Sequence, residues 1–250
     1  MKLKGKAIIV TGGTRGIGEA LVKKLVREGA DVAFSFLSST ERAAEIEASL
    51  KSAGGRIFAM PADVRSREAV EAFVARAVAE YGRIDALVNN AHAAYLGKWF
   101  EDAAWADFDR ELGTLVHGVF NMVQAVLPHM KSQGGGTIIN LGSTMALAPR
   151  LRHSFYVTAK CALMGMTEAL ALEFGQHGIR VNMVTPGPLV TDHNASYPAE
   201  LMKRLGEETP LHRRLATVEE VADAIALLLL DEAGVITGAN VLASAGFAIA

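Results

Sequence analysis

This chain has a single cysteine in its 250 residues, Cys161, which excludes an internal disulfide and a multi-cysteine zinc site. Cys161 also stands in an apolar helical run, a setting that suits a core thiol better than a reactive nucleophile. There is no basic run, and a net charge of −2 with a pI near 6.4 leaves no electrostatic footprint for nucleic acid. Long hydrophobic runs are missing too: the longest, Ala224 to Leu230, is too short to cross a bilayer. The basic start, Met1-Lys2-Leu3-Lys4-Gly5-Lys6, leads into a strand-like segment and a glycine-rich loop, which does not fit a signal peptide. No Pro-, Gly- or Ser-rich linker divides the chain, and no internal repeat is present. Half of the residues are hydrophobic and 21% charged, a globular balance. The expectation is one soluble, cytoplasmic domain over residues 1–250.

What is present is an alternation of short apolar runs with helical patterns. Ala7–Val10, Asp31–Phe36, Ile57–Met60, Ile84–Val88, Thr137–Leu141, Arg180–Val184 and Asn240–Ala243 read as seven strands. Helical patterns fall at about 17–28, at 40–53 behind a capping Thr40, at 66–81, at 102–131, and after Ser154. Buried strands alternating with helices predict an α/β fold: a doubly wound, Rossmann-type and mostly parallel seven-stranded sheet with helices on both faces. Ligands in such sheets bind beyond the carboxyl ends of the strands. Thr11-Gly12-Gly13, Asp63, Asn89-Asn90, Ser143 and Pro186-Gly187 all fall there.

Two features carry chemistry. Gly12-Gly13-Thr14-Arg15-Gly16-Ile17-Gly18 links the first strand to its helix, and such glycines let a pyrophosphate approach the free N–H groups of a helix start. Tyr156 and Lys160 lie at i, i+4 and project from one helix face. A free phenol titrates at about pH 10, and a cation fixed beside it moves it toward the working range. Taken alone, the pair also fits a surface tyrosine and a solvated lysine.

Thr11-Gly-x-x-x-Gly16-x-Gly18, Asn89-Asn90-Ala91, Ser143, Tyr156-x-x-x-Lys160 and Asn182 with Pro186-Gly187 together resemble the short-chain dehydrogenase/reductase family, over essentially the whole chain. Within it the 3-oxoacyl-thioester reductases are most similar. The resemblance implies a cofactor-binding part over about 1–140 and a catalytic and substrate part over about 141–250. It makes Tyr156 the general acid/base, Lys160 its tuning cation and a holder of the nicotinamide ribose, and Ser143 the group that orients the substrate oxygen. Gly12, Thr14, Arg15, Gly16, Ile17 and Gly18 would cradle the cofactor, with Asp63 and Val64 at the adenine and Asn90 and Ala91 along the groove. Pro186, Gly187, Leu189 and Thr191 would meet the nicotinamide end and the phosphates. No metal is implied.

An NAD site places an acid at the end of the second strand. Phe36 stands there, followed by Leu37-Ser38-Ser39, and Arg15 offers a cation. NADP is therefore favoured, with Arg15, Ser38 and Ser39 as contacts and NAD as the second choice. His92, Met145, His153 and His193 are substrate-side candidates, together with Leu147, Arg150, Arg152, Phe155 and Tyr197. The stretch from Val190 to Arg214 reads as a lid.

The chain departs from the family in three places. Leu115 occupies the position of an asparagine that opens the long helix and completes a water path to Lys160, with Thr114 and His117 expected to face elsewhere. His92 replaces a glycine, and Ser244-Ala245 replaces Asp-Gly. An NADP(H)-dependent ketoreductase is the expected activity. An enoyl reductase and an NADP-binding sensor or assembly subunit are the alternatives. The resemblance implies a homotetramer, with a dimer second, built on the long helix, the helix after Tyr156 and the segment 246–250.

Overall fold

The computed structural model describes residues 1–92, 97–191 and 198–248. Seven strands form one sheet: β1 (Ala7–Val10), β2 (Asp31–Phe36), β3 (Ile57–Pro61), β4 (Ala86–Asn89), β5 (Gly136–Leu141), β6 (Ile179–Pro186) and β7 (Asn240–Ala243). Their order is β3-β2-β1-β4-β5-β6-β7, and every pairing is parallel. Among the described residues eight α-helices accompany them: α1 (Gly16–Arg27), α2 (Thr40–Leu50), α3 (Arg67–Tyr81), α4 (Trp105–Leu112), α5 (Gly118–Gln133), α6 (Ser154–Phe174), α7 (Ala199–Glu208) and α8 (Val218–Leu228).

Strand side chains alternate in direction, and the alternation in β1 separates two cores. Ile8 and Val10 face Leu21 and Leu25 of α1 and Val221 and Ile225 of α8. Ile9 faces the other way, into Phe73 of α3, Met122 and Val126 of α5 and Leu163 of α6. Each such side chain, fully withdrawn from water, contributes about 1.5–3 kcal/mol. Local signals agree with these packings. Ser66 accepts from the Ala69 N–H at the start of α3, and Gly82 ends that helix at φ 77°. Thr217 and Glu220 cap α8 reciprocally. Thr40 lies inside α2 rather than capping it, and the preceding Ser39 makes no side-chain cap bond.

The strand order reverses between β1 and β4, and the crevice beyond their carboxyl ends is where this topology receives a ligand. Asn182, fully buried on β6, accepts from the Ala239 N–H and donates to the Ile236 carbonyl, so it secures the approach to β7. No helix among the described residues is long and apolar enough to cross a membrane.

Candidate active site

A cavity of about 1460 Å³ runs along the carboxyl ends of the strands, from the β1–α1 loop to α7. Its floor is a glycine cradle built for close approach. Gly12 and Gly16 adopt φ values of 68° and 54°, which glycine enters without steric cost. A Cβ on Gly13 would sit 2.6 Å from the Phe34 ring, and one on Gly18 would run into the Gly12 carbonyl and the Asn90 amide. Asn90 ties the loop from the other side, its amide donating to the carbonyls of Thr11 (2.9 Å) and Gly12 (3.0 Å). The Thr11 hydroxyl accepts from the N–H groups of Asn90 and Ala91. With the N-terminus of α1 opening onto this cradle, the loop fits a dinucleotide pyrophosphate.

Gly12, Thr14, Arg15, Gly16, Ile17, Ser38, Ser39, Asp63, Val64, Asn90, Ala91, Pro186, Gly187, Leu189 and Thr191 all line the cavity. Gly18 does not; it lies beneath the cradle, where a side chain would push Gly12 outward. Thr191 stands above the loop, with its methyl carbon 4.0 Å from where a Gly16 Cβ would be. Asp63 carries a local ion pair on the cavity wall. Its carboxylate is bound by the Arg65 guanidinium at 2.7 Å, and that bond holds its pKa below the usual carboxylate range. β2 ends at Phe36, and Leu37, Ser38 and Ser39 beyond it are exposed.

At the other end, Ser143, Tyr156 and Lys160 share the cavity wall. Ser143 leaves β5 in extended conformation and accepts from the Met145 N–H at 3.2 Å, a bond that does not consume its own proton. Lys160 is only 3% exposed, and its Nζ donates to the Leu141 carbonyl at 2.5 Å while lying 5.6 Å from the centre of the Tyr156 ring. The solvated surface pair is thus not what forms. Burial pushes the Lys160 pKa down to about 8, opposed by the charge of Glu111. His92 meets Tyr156 edge to face, with ring centres 5.6 Å apart. Met145, Arg150, Arg152 and His153 line the substrate end. Burial, then Arg150 and Arg152, lowers the His153 pKa. Leu147 is not on the wall, and Phe155 turns into the interior against Phe108. His193 and Tyr197 lie outside the described residues, as do Ile249 and Ala250.

The long helix is not regular. Residues Gly113–His117 form a π turn between α4 and α5, with Leu115 buried inside it. The widening therefore occurs without an asparagine. Thr114, expected to face elsewhere, lies on the cavity wall. Arg65 and Arg110 line the wall without having been singled out in the sequence, while Leu201, Met202 and Leu205 of α7 come from the stretch read as a lid. Glu111 is another residue that sequence reasoning passes over. An acid four residues before Leu115 reads as the polar face of an amphipathic helix, yet it is fully buried.

Comparison with known proteins agrees with this fold. Residues 12–248 match the family model described as enoyl-(acyl carrier protein) reductase. A 3-oxoacyl-(acyl-carrier-protein) reductase of Staphylococcus aureus is 33% identical over 243 residues, 96% of this chain and 97% of that protein. A short-chain dehydrogenase/reductase of Serratia marcescens superposes with a TM-score of 0.92 at 38% identity, over the full length of both chains. A blue fluorescent protein from a metagenomic library, in complex with NADPH, does so with a TM-score of 0.92 at 34% identity, also full length. A 3-ketoacyl-(acyl-carrier-protein) reductase of Brucella melitensis, complexed with NADH, gives 0.91 at 29% identity over 98% of this chain and 99% of that one. This chain belongs to the short-chain dehydrogenase/reductase family and is an oxidoreductase acting on CH–OH and C=O groups.

Proposed function

We propose that the protein is an NADP(H)-dependent ketoreductase of 3-oxoacyl type. The observation that carries this reading is the shared wall on which Ser143, Tyr156 and the buried Lys160 meet the far end of the glycine-floored cavity. A bound nicotinamide would supply the hydride. Gly12, Thr14, Gly16 and Ile17 would hold its pyrophosphate, and Leu189 and Thr191 would close over it. Ser143 would donate its hydroxyl proton to the substrate carbonyl oxygen and orient it. Tyr156 would protonate that oxygen as it gains charge, with the Lys160 ammonium beneath the ring favouring loss of the phenolic proton. The preference for NADP is supported by the exposed Arg15, Ser38 and Ser39 on the wall and by the apolar Phe36 at the end of β2.

The test is turnover of NADPH and NADH at equal concentration with β-ketoacyl thioesters, quinones and simple ketones. A clear NADH preference defeats the cofactor assignment. Tight NADPH binding with no turnover favours a sensor. The enoyl-reductase description of the matching family model favours one second reading, reduction of C=C. Acetoacetyl against crotonyl thioester separates the two. Self-association is part of the proposal, with a tetramer ahead of a dimer. It is supported by large apolar side chains left exposed on and before α4 (Phe100, Trp105), on α5 (Phe120) and on α6 (Leu172). Sedimentation measures it.

A further inference from the structure

Glu111 is 0% exposed on α4, and neither carboxyl oxygen reaches a hydrogen-bond partner among the described residues. A carboxyl in that state costs several kcal/mol unless it is protonated, hydrated or opposed by a charge, so its retention asks for a reason. α4 packs against α6, and the cation acting most strongly on Glu111 is Lys160. Arg110, its neighbour on α4, is committed to Asp107 at 3.0 Å, and His117 lies exposed at the far end of the π turn. Lys160 in turn spends one of three N–H donors on the Leu141 carbonyl, which leaves two. Neither Glu111 oxygen bonds to Lys160, and a buried polar gap between two such groups can be spanned by a single water.

We propose that Glu111 is the positioning residue behind Tyr156: its buried carboxyl faces Lys160, holds that amine as ammonium, and resupplies it with protons through one bridging water. The inference rests on the ketoreductase reading, because only a proton-consuming reduction needs the resupply. The Lys160 ammonium first restores the proton that Tyr156 gave to substrate. The neutral amine left behind then takes a proton that leaves a Glu111 oxygen and crosses the water, and a proton from solvent restores Glu111. Burial pushes the Glu111 pKa up to about 7, with Lys160 and then Arg110 opposing, so acid and anion are both populated near neutrality. At position 115, where the family resemblance puts the relay asparagine, the leucine side chain offers no hydrogen bond to this path.

The experiment compares wild type with Glu111→Gln, Leu115→Asn and the double variant, reading kcat and KM against pH. Glu111→Gln should lower kcat roughly tenfold or more with KM nearly unchanged. Its alkaline limb should move to lower pH by roughly one to two units, because the anion that favours ammonium is gone. The double variant should recover part of kcat. An unchanged pH profile in Glu111→Gln, or a loss equal at every pH and shared by KM, overturns the proposal. A second readout does not depend on turnover: the infrared carboxyl band of Glu111 in the free protein, assigned by its loss in Glu111→Gln. In Lys160→Met that band should titrate roughly one unit or more higher than in wild type, and an unmoved titration sinks the coupling. A wild type that reduces no carbonyl defeats the ketoreductase reading, while the infrared titration still decides the coupling.

Discussion

The Asn90 side chain holds the Gly12 carbonyl at 3.0 Å and the Thr11 carbonyl at 2.9 Å, so the end of β4 sets the shape of the loop that leaves β1. The two strands are neighbours at the reversal of the sheet, and the amide crosses the crevice where their connections diverge. Asn90→Ala frees both carbonyls and loosens the cradle. Loss of such bonds costs about 1–3 kcal/mol, and NADPH affinity should fall roughly tenfold for each 1.4 kcal/mol the cradle no longer supplies. Titration of NADPH fluorescence together with thermal melting measures both effects.

Tyr156→Phe removes the phenolic proton and leaves the ring, with Lys160 still 5.6 Å from its centre. Turnover should drop roughly 100- to 10,000-fold while NADPH binds as before. Retention of more than a tenth of kcat would remove Tyr156 from the acid/base role.

Arg15, Ser38 and Ser39 are all exposed on the wall of the same cavity. Arg15→Glu replaces the proposed 2′-phosphate partner with a repelling charge. The NADPH to NADH preference in kcat/KM should fall at least about tenfold, and the difference should shrink as salt is added. Equal loss with both cofactors would place Arg15 outside the 2′-phosphate contact.

Ala245 sits at φ 53°, a left-handed conformation in a position where the family resemblance puts glycine. An alanine there costs about 1–2 kcal/mol, partly offset by the greater chain entropy of an unfolded glycine. Ala245→Gly should raise stability by roughly 0.5–1 kcal/mol with activity unchanged, measured by denaturant unfolding.

Buried Glu111 makes stability depend on pH in a definite direction. Its folded pKa of about 7 lies above the ordinary 4.5, so the folded state binds the extra proton between those values. Stability is favoured at the acid side of the window and falls as pH rises through it, by about 3 kcal/mol in all. Lys160, lowered to about 8, is protonated in both states over that window and adds nothing there. Melting of wild type from pH 5 to 7.5 should show the decline, and Glu111→Gln should flatten it.

The seven strands, the glycine loop and the Tyr156/Lys160 pair were legible in the residues themselves. Apolar runs of four to six residues, broken by Gly and Asn, carry a local periodicity that needs no knowledge of the rest of the chain. The same holds for Phe36 at the end of β2, where an acid is missing by simple inspection. Tertiary structure decided what those residues meet. It buried Lys160 under the Tyr156 ring, bound Asp63 to Arg65, placed Gly18 beneath the cradle instead of on its wall, and turned Phe155 into the core. Above all, it withdrew Glu111 from water. An acid on a helix reads as a solvated face until a second helix closes over it, because desolvation belongs to the packing of two elements and leaves no trace in the pattern of either one.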